Sequence, residues 1–198
     1  MPTKSLEQKK AWENRYQMGQ TGWDRGAINP ALLPILDNGI LTPCRLLIPG
    51  CGRGYEVALL AERGFDITAV DIAPSAIRAV RGLLAQHGLS ATIIEADFLK
   101  WTPATLFDAI YEQTSLCALH PDNWQTYANQ LRAWLVPGGH LVANFLQTDQ
   151  SGGPPFHCAM DEMKTLFPKN LWKWPDSLPQ HIEHPSGRHE LGVVLVRV

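Results

Sequence analysis

No stretch of this chain approaches the roughly 18 consecutive apolar residues that a membrane-spanning helix requires, and the opening MPTKSLEQKK lacks the apolar core of a secretory leader. Charge of one sign is not in excess either. A formal net charge of -2 and a pI near 6.4 give no reason to expect nucleic acid or an anionic membrane as partner. Cysteine is sparse: Cys44, Cys51, Cys117 and Cys158 stand far apart without C-x-x-C spacing. That excludes a disulfide framework or zinc site and reads as reduced thiols of a cytoplasmic protein. Repeats and low-complexity tracts are missing, as is any Ser-His-Asp or Cys-His set of a nucleophilic hydrolase. What remains is a chain of 198 residues, 45% hydrophobic and 18% charged. It is the size and make-up of a single globular domain over 1–198, with monomer as the default state.

The organising stretch is Arg45–Asp71, RLLIPGCGRGYEVALLAERGFDITAVD. Leu46-Leu47-Ile48 is too short for a helix and is closed by Pro49-Gly50, so it predicts a buried strand. A glycine turn follows (Gly50, Gly52, Gly54), then a helix from Tyr55 ended by Arg63-Gly64, then a strand Phe65–Val70 finishing on Asp71. Strand, glycine turn, helix, strand and acid make the first βαβ unit of a nucleotide-binding sheet, with Asp71 placed to accept from a ribose diol. The unit predicts an adenosine-containing cofactor. A dinucleotide fingerprint would read G-x-G-x-x-G, but here Gly54 is followed by bulky Tyr55 and by Glu56. A carboxylate in the first turn occupies the positive end of the helix and suits a cationic or zwitterionic ligand better than a diphosphate. An NAD-dependent oxidoreductase is therefore the runner-up.

Before this unit, Ser5–Met18 predicts a helix with Ser5 as N-cap and Gln8 closing a capping box. It carries Trp12 and Tyr16 on one face, ahead of a loop holding Trp23. A helix begins at Pro30. Residues 1–40 thus read as a helical lid, its aromatics either packing on the domain or covering a ligand, where a sulfonium cation would be attracted to their faces. After Asp71-Ile72, Ala73–Gly88 predicts a helix and Ala91–Ala96 a strand that delivers Asp97-Phe98 to the carboxyl edge. Asp108–Gln113 predicts the next strand, with Glu112 and Gln113 at the same edge. His120–Leu135 predicts a helix, His140–Leu146 a strand, and Asp149–His157 a loop (DQSGGPPFH) at the place of a substrate cover. Ala159–Phe167 predicts a short helix. Trp172–Glu183 and His189–Val198 predict two strands joined at Pro185-Ser186-Gly187, the last of them inside the sheet. Alternating strands and helices with short connections imply a doubly wound α/β fold.

These pieces resemble the thiopurine S-methyltransferase family, and within it the thiol and halide ion methyltransferase branch, from about Trp12 to the C-terminus. The carrying motifs are Trp12…Tyr16…Trp23-Asp24, Ile48-Pro49-Gly50-Cys51-Gly52-Arg53-Gly54-Tyr55, Val70-Asp71-Ile72, Asp97-Phe98 and Gly152-Gly153-Pro154-Pro155-Phe156. The resemblance implies a Rossmann-like, seven-stranded mixed sheet in which only the strand of the C-terminal hairpin is antiparallel. It also implies S-adenosylmethionine as methyl donor, with S-adenosylhomocysteine as product. Carried over, Trp12, Tyr16 and Trp23 close over the cofactor and Gly50, Cys51 and Gly52 line its methionine part. Asp71 and Ile72 take the ribose, and Asp97 and Phe98 take the adenine. Gln113 stands where thiopurine-type members carry arginine and many halide- or thiol-type members tyrosine. This departure removes a charge that an anionic aromatic substrate would use.

Methyl transfer from a sulfonium to a thiol, sulfide or halide needs alignment and dryness rather than a strong base. Glu112, Gln113 and Phe156 are the positioning candidates. His157 and His189 are the residues that could take a proton from a neutral thiol. A metal reading of His181, His184 and His189 fails on spacing, since residues three apart on a strand face opposite sides. The alternatives are an aromatic thiol S-methyltransferase and a protein that binds the cofactor without turnover.

Overall fold

Leu46, Leu47 and Ile48 are all buried. A strand covered on both faces is why this segment reads as an unbroken apolar run. In the computed structural model, which describes residues 4–198, it belongs to β1 (Arg45–Pro49), preceded by helices α1 (Lys4–Gln17) and α2 (Leu32–Asp37). Next come α3 (Tyr55–Glu62), β2 (Asp66–Asp71), α4 (Pro74–Gln86), β3 (Thr92–Glu95) and β4 (Phe107–Gln113). The chain continues through α5 (Trp124–Trp134), β5 (Leu135–Gln147), α6 (Met160–Leu166), β6 (Trp172–Lys173), β7 (Gln180–Glu183) and β8 (His189–Arg197). Residues 1–3 of the expected lid lie outside the described residues.

The strands lie in the order β3-β2-β1-β4-β5-β8-β6, with β7 also pairing β8. β1 to β5 are mutually parallel where they pair, and β8 is antiparallel to β5, β6 and β7. The doubly wound mixed sheet with one reversed C-terminal strand is as expected, but the strand count is eight, not seven. The predicted strand over Trp172–Glu183 is cut in two. Pro175 and Pro179 lie in the gap, where each lacks the N–H that a ladder needs. β6 then pairs Arg197 and Val196, and β7 pairs the stretch from Gly192 to His189. At the entry to α5, Pro121–Asn123 forms a short 3-10 turn, capped by His120, rather than the first helical turn. Ser5 lies within α1 rather than capping it.

Alternation along the strands splits the core into two layers. Leu46 and Ile48 pack with Leu32, Val57, Leu60 and Val80 beneath α2, α3 and α4. Leu47 packs with Tyr127, Leu131, Met163 and Phe167 beneath α5 and α6. Helix α1 is tied to the sheet edge by polar bonds. Glu13 accepts from the Ser75 N–H (2.8 Å) and hydroxyl (2.7 Å) at the start of α4, and Lys9 pairs with Glu95.

Gly54 begins α3 at a φ of +81°, and a Cβ there would come within 2.2 Å of Val80 Cγ2 on α4. Glycine is required twice, for backbone angle and for helix contact. Gly54→Ala should lower the unfolding free energy by roughly 2–4 kcal/mol, from left-handed strain plus overpacking. Urea denaturation measures it, and an unshifted midpoint would mean that α3 and α4 separate at no cost.

Candidate active site

The parallel strands end together, and the loops that leave them surround a cleft of about 190 Å³. Its floor is the glycine turn. Gly52 has φ +56° and only Tyr16 Oη near its missing Cβ, at 3.5 Å, so its open face is toward the cleft. The turn is held by β2: the Asp71 carboxylate accepts from the Gly52 N–H (3.0 Å) through Oδ2 and from the Ala73 N–H (2.9 Å) through Oδ1. Burial pushes the Asp71 carboxyl up to about 6, against the pull of these backbone donors. At the end of β3, Asp97 accepts from Ser5 Oγ (2.6 Å) and the Leu99 N–H (3.1 Å), while Phe98 packs on Tyr127 with centroids 5.0 Å apart. These contacts make Asp97 both the turn-forming residue and an anchor for α1.

The N-terminal segment supplies the roof. Trp23 meets Trp12 and Tyr16 edge-on, at 5.3 and 5.5 Å between centroids, and the Arg15 guanidinium lies 5.1 Å over Trp12. Gly50, Gly52, Asp71, Ile72, Asp97 and Phe98 all line the same cleft as these three aromatics. Nine of the residues singled out from the sequence therefore converge on one site: these six with Trp12, Tyr16 and Trp23.

Four others do not line it. Cys51 and Gln113 face a smaller adjoining cleft of about 60 Å³, shared with Asp24, Arg53 and Glu56, where Gln113 Oε1 accepts from the Tyr111 hydroxyl (2.9 Å). Glu112 is buried at 2% exposure, and its Oε1 accepts from the N–H groups of Ser115 (3.0 Å) and Leu116 (2.7 Å). It shapes the wall loop from behind. Phe156 packs against His120 at 5.4 Å, and Pro154 and Pro155 line the cleft in its place. Of the histidines weighed as bases, His157 Nδ1 accepts from the N–H groups of Thr148 (3.0 Å) and Asp149 (3.2 Å), and His189 stacks on His181 at 4.5 Å. Glu56, in the first turn of α3, accepts from the Asn29 N–H (2.8 Å).

Sequence reasoning missed the far wall. Thr114, Ser115 and Cys117 after β4 line the cleft, as do His184, Ser186 and Arg188 of the β7–β8 connection. Thr114 sits at φ +57°, a strained value for a β-branched residue, which marks the loop as held in place. No spacing in the sequence brings residue 184 beside residue 23, yet the His184 ring lies 3.3 Å from the Trp23 carbonyl. Behind them, Arg25 bonds Glu190 (3.0 Å) and the Glu183 carbonyl (2.7 Å), and Asn29 bonds Glu190 (2.7 Å).

A sequence model of the family described as thiopurine S-methyltransferase matches residues 7–197. The chain belongs to that family. It is similar to the probable thiol methyltransferase 2 of Arabidopsis thaliana, 32% identical over 161 residues, covering 79% of this chain and 71% of that protein. It is also similar to thiocyanate methyltransferase 1 of Brassica oleracea, 30% identical over 186 residues, covering 91% of this chain and 82% of that protein. Among solved structures, Burkholderia thailandensis 1,6-didemethyltoxoflavin-N1-methyltransferase, bound to 1,6-didemethyltoxoflavin and S-adenosylhomocysteine, aligns with a TM-score of 0.76 at 23% identity. That alignment covers 96% of this chain and 87% of the other, and it establishes the common fold.

Burial pushes the Glu112 carboxyl from an ordinary 4.5 up to about 7. The folded protein thus keeps a proton that the unfolded chain releases, and stability falls as pH rises from about 4.5 to 7. That interval corresponds to roughly 3 kcal/mol for this group. Glu112→Gln keeps an acceptor for Ser115 and Leu116 and should remove this loss. Chemical denaturation at pH 5 and pH 8 should show the variant gaining on the wild type only at pH 8.

Proposed function

We propose that this S-adenosylmethionine-dependent methyltransferase acts on a small soft nucleophile: a thiol, sulfide or halide ion. The observation that carries the reading is the meeting, at one sheet edge, of the glycine turn, the buried Asp71 and half-buried Asp97 carboxylates and three lid aromatics. The donor set fits the cofactor. On this side of the cleft the cations are engaged, Arg15 over Trp12 and Arg53 with Asp24, so nothing there awaits a diphosphate. Aromatic faces and carboxylates suit a sulfonium and a ribose instead. When bound, S-adenosylmethionine supplies an electrophilic methyl group.

In this reading Asp71 and Ile72 hold the ribose, Asp97 and Phe98 the adenine, and Gly50 and Gly52 the methionine part, with Cys51 and Gln113 beside it in the adjoining cleft. Trp12, Tyr16 and Trp23, within a lid formed by residues 1–40, exclude water and hold the reactants in line. Glu112 fixes the wall loop rather than taking a proton. Relatives whose names specify thiol and thiocyanate methylation support the acceptor class. We further place the protein in the cytoplasm as a monomer acting on small molecules rather than nucleic acid or membrane, in keeping with its free cysteines and mild charge.

The direct test is S-adenosylhomocysteine release from S-adenosylmethionine with iodide, bisulfide, small alkyl thiols and an aromatic thiol. Turnover of the small soft nucleophiles is expected; turnover of the aromatic thiol alone would move the assignment to thiopurine-like substrates. Asp71→Ala should weaken cofactor binding by well over tenfold, more than about 1.4 kcal/mol. Wild-type cofactor affinity should also fall as pH drops through about 6, where the carboxylate gains a proton. Trp23→Ala should raise the Michaelis constant for the cofactor; an unaltered value would make Trp23 a packing residue only.

A further inference from the structure

The glycine turn leaves β1, and in the sheet β1 lies between β2 and β4. Asp71 fixes the turn from the β2 side, through the Gly52 N–H. A second contact reaches it from the β4 side, where the Ser115 hydroxyl donates to the Pro49 carbonyl at 2.7 Å. Resting on the methyltransferase reading above, we infer that Ser115 is a positioning residue for the amino-acid end of the cofactor, acting through the Pro49–Gly50 peptide.

Three observations carry this. First, that peptide is held on both of its polar sides. Its carbonyl takes the Ser115 hydroxyl, and its N–H, on Gly50, donates to the Val70 carbonyl at 2.7 Å. With both groups engaged the peptide plane cannot rotate, and Gly50 is kept at a φ of +62°.

Second, Ser115 fills the place of the side chain that Gly50 lacks. A Cβ on Gly50 would overlap Ser115 Oγ and stand 3.2 Å from Ser115 Cβ. Phe98 Cε1, at 3.8 Å, would be an ordinary neighbour. The serine itself thus demands glycine at position 50, whereas Gly52 keeps an open face for a ligand.

Third, Ser115 belongs to a loop that is fixed from behind. Glu112 Oε1 accepts from the N–H groups of Ser115 and Leu116, and Trp124 Nε1 donates to the carbonyls of Leu116 (2.9 Å) and Leu119 (3.1 Å). The hydroxyl therefore hands the position of a rigid wall to the turn beside it, and Gly50 and Ser115 both line the cleft.

A ligand on this turn meets backbone groups, and their direction is set by the Asp71 and Ser115 contacts together. In-line transfer is sensitive to small misplacement of the methyl donor, so a turn held from one side only would serve it poorly. Without the hydroxyl, the buried Pro49 carbonyl loses the donor that reaches it from the wall loop.

S-Adenosylhomocysteine and 5′-methylthioadenosine, which keeps the nucleoside and sulfur but lacks the amino-acid part, are the calorimetric probes. Ser115→Ala should weaken S-adenosylhomocysteine about three- to tenfold, the range of one buried hydrogen bond. It should leave 5′-methylthioadenosine within about twofold, because Asp71 and Asp97 are untouched; general loosening of the fold would weaken both alike. Gly50→Ala should weaken S-adenosylhomocysteine by more than about tenfold in the wild type, but by less than about threefold in the Ser115→Gly background, where the obstructing hydroxyl is gone. Should Gly50→Ala fail to fold, the two Ser115→Ala titrations decide alone. Unchanged S-adenosylhomocysteine affinity in Ser115→Ala, equal loss of both ligands, or equal harm from Gly50→Ala in both backgrounds would overturn the inference and leave the methyltransferase reading standing. Wild-type protein that binds neither ligand would overturn both.

Discussion

The Asp71 carboxylate, buried and bonded to the Gly52 and Ala73 N–H groups, is the contact on which the rest of the cleft depends. It clamps the turn after β1 to the turn after β2, so that two loops from adjacent strands move as one. A carboxylate that accepts from two backbone donors tolerates its own desolvation, and its raised pKa records how incompletely those donors offset it. The glycine backbone is therefore pre-set, with its open side toward the cleft.

The second constraint joins the two ends of the chain. Arg25 and Asn29 of the N-terminal segment share the carboxylate of Glu190 on β8, a residue with no exposure, and Asn29 reaches back to Glu56 on α3. Buried charge of this kind contributes little net stability, because desolvation consumes most of the attraction, but losing one partner strands the other. Its effect is to fix position. These contacts tie the N-terminal segment to the C-terminal strands, with Trp23 over the cleft and its carbonyl 3.3 Å from the His184 ring. An aromatic roof and a hairpin wall are thus located by contacts behind the site, not by whatever binds within it.

Much of this was legible in the residues. Leu46–Ile48, the spaced glycines and Asp71 are local, and their order is enough to define a βαβ unit, since strand length, turn angle and terminal acid are read within one stretch of chain. Trp12 and Tyr16, four apart on a helix, had to share a face. Glu112 and Phe156 do not line the cleft, for a common reason. Sequence position places a residue at the carboxyl edge but does not say which way its side chain turns. Glu112 turns inward to the Ser115 and Leu116 N–H groups, and Phe156 turns to His120. The split of the last edge strand had a visible signal in Pro175 and Pro179, which remove ladder donors.

By itself, then, the sequence determined the fold class, the glycine-turn side of the cleft and the N-terminal aromatics, because each depends on neighbours within a few turns or one strand of each other. The tertiary structure alone decided the far wall of the cleft. Arg188, His184 and Thr114 come from separate strands, and they meet only because β8 inserts antiparallel beside β5 and carries its hairpin back to the carboxyl edge. Long-range strand pairing of this kind leaves no local periodicity to read, whereas burial and hydrogen bonding across the finished sheet fix it without ambiguity.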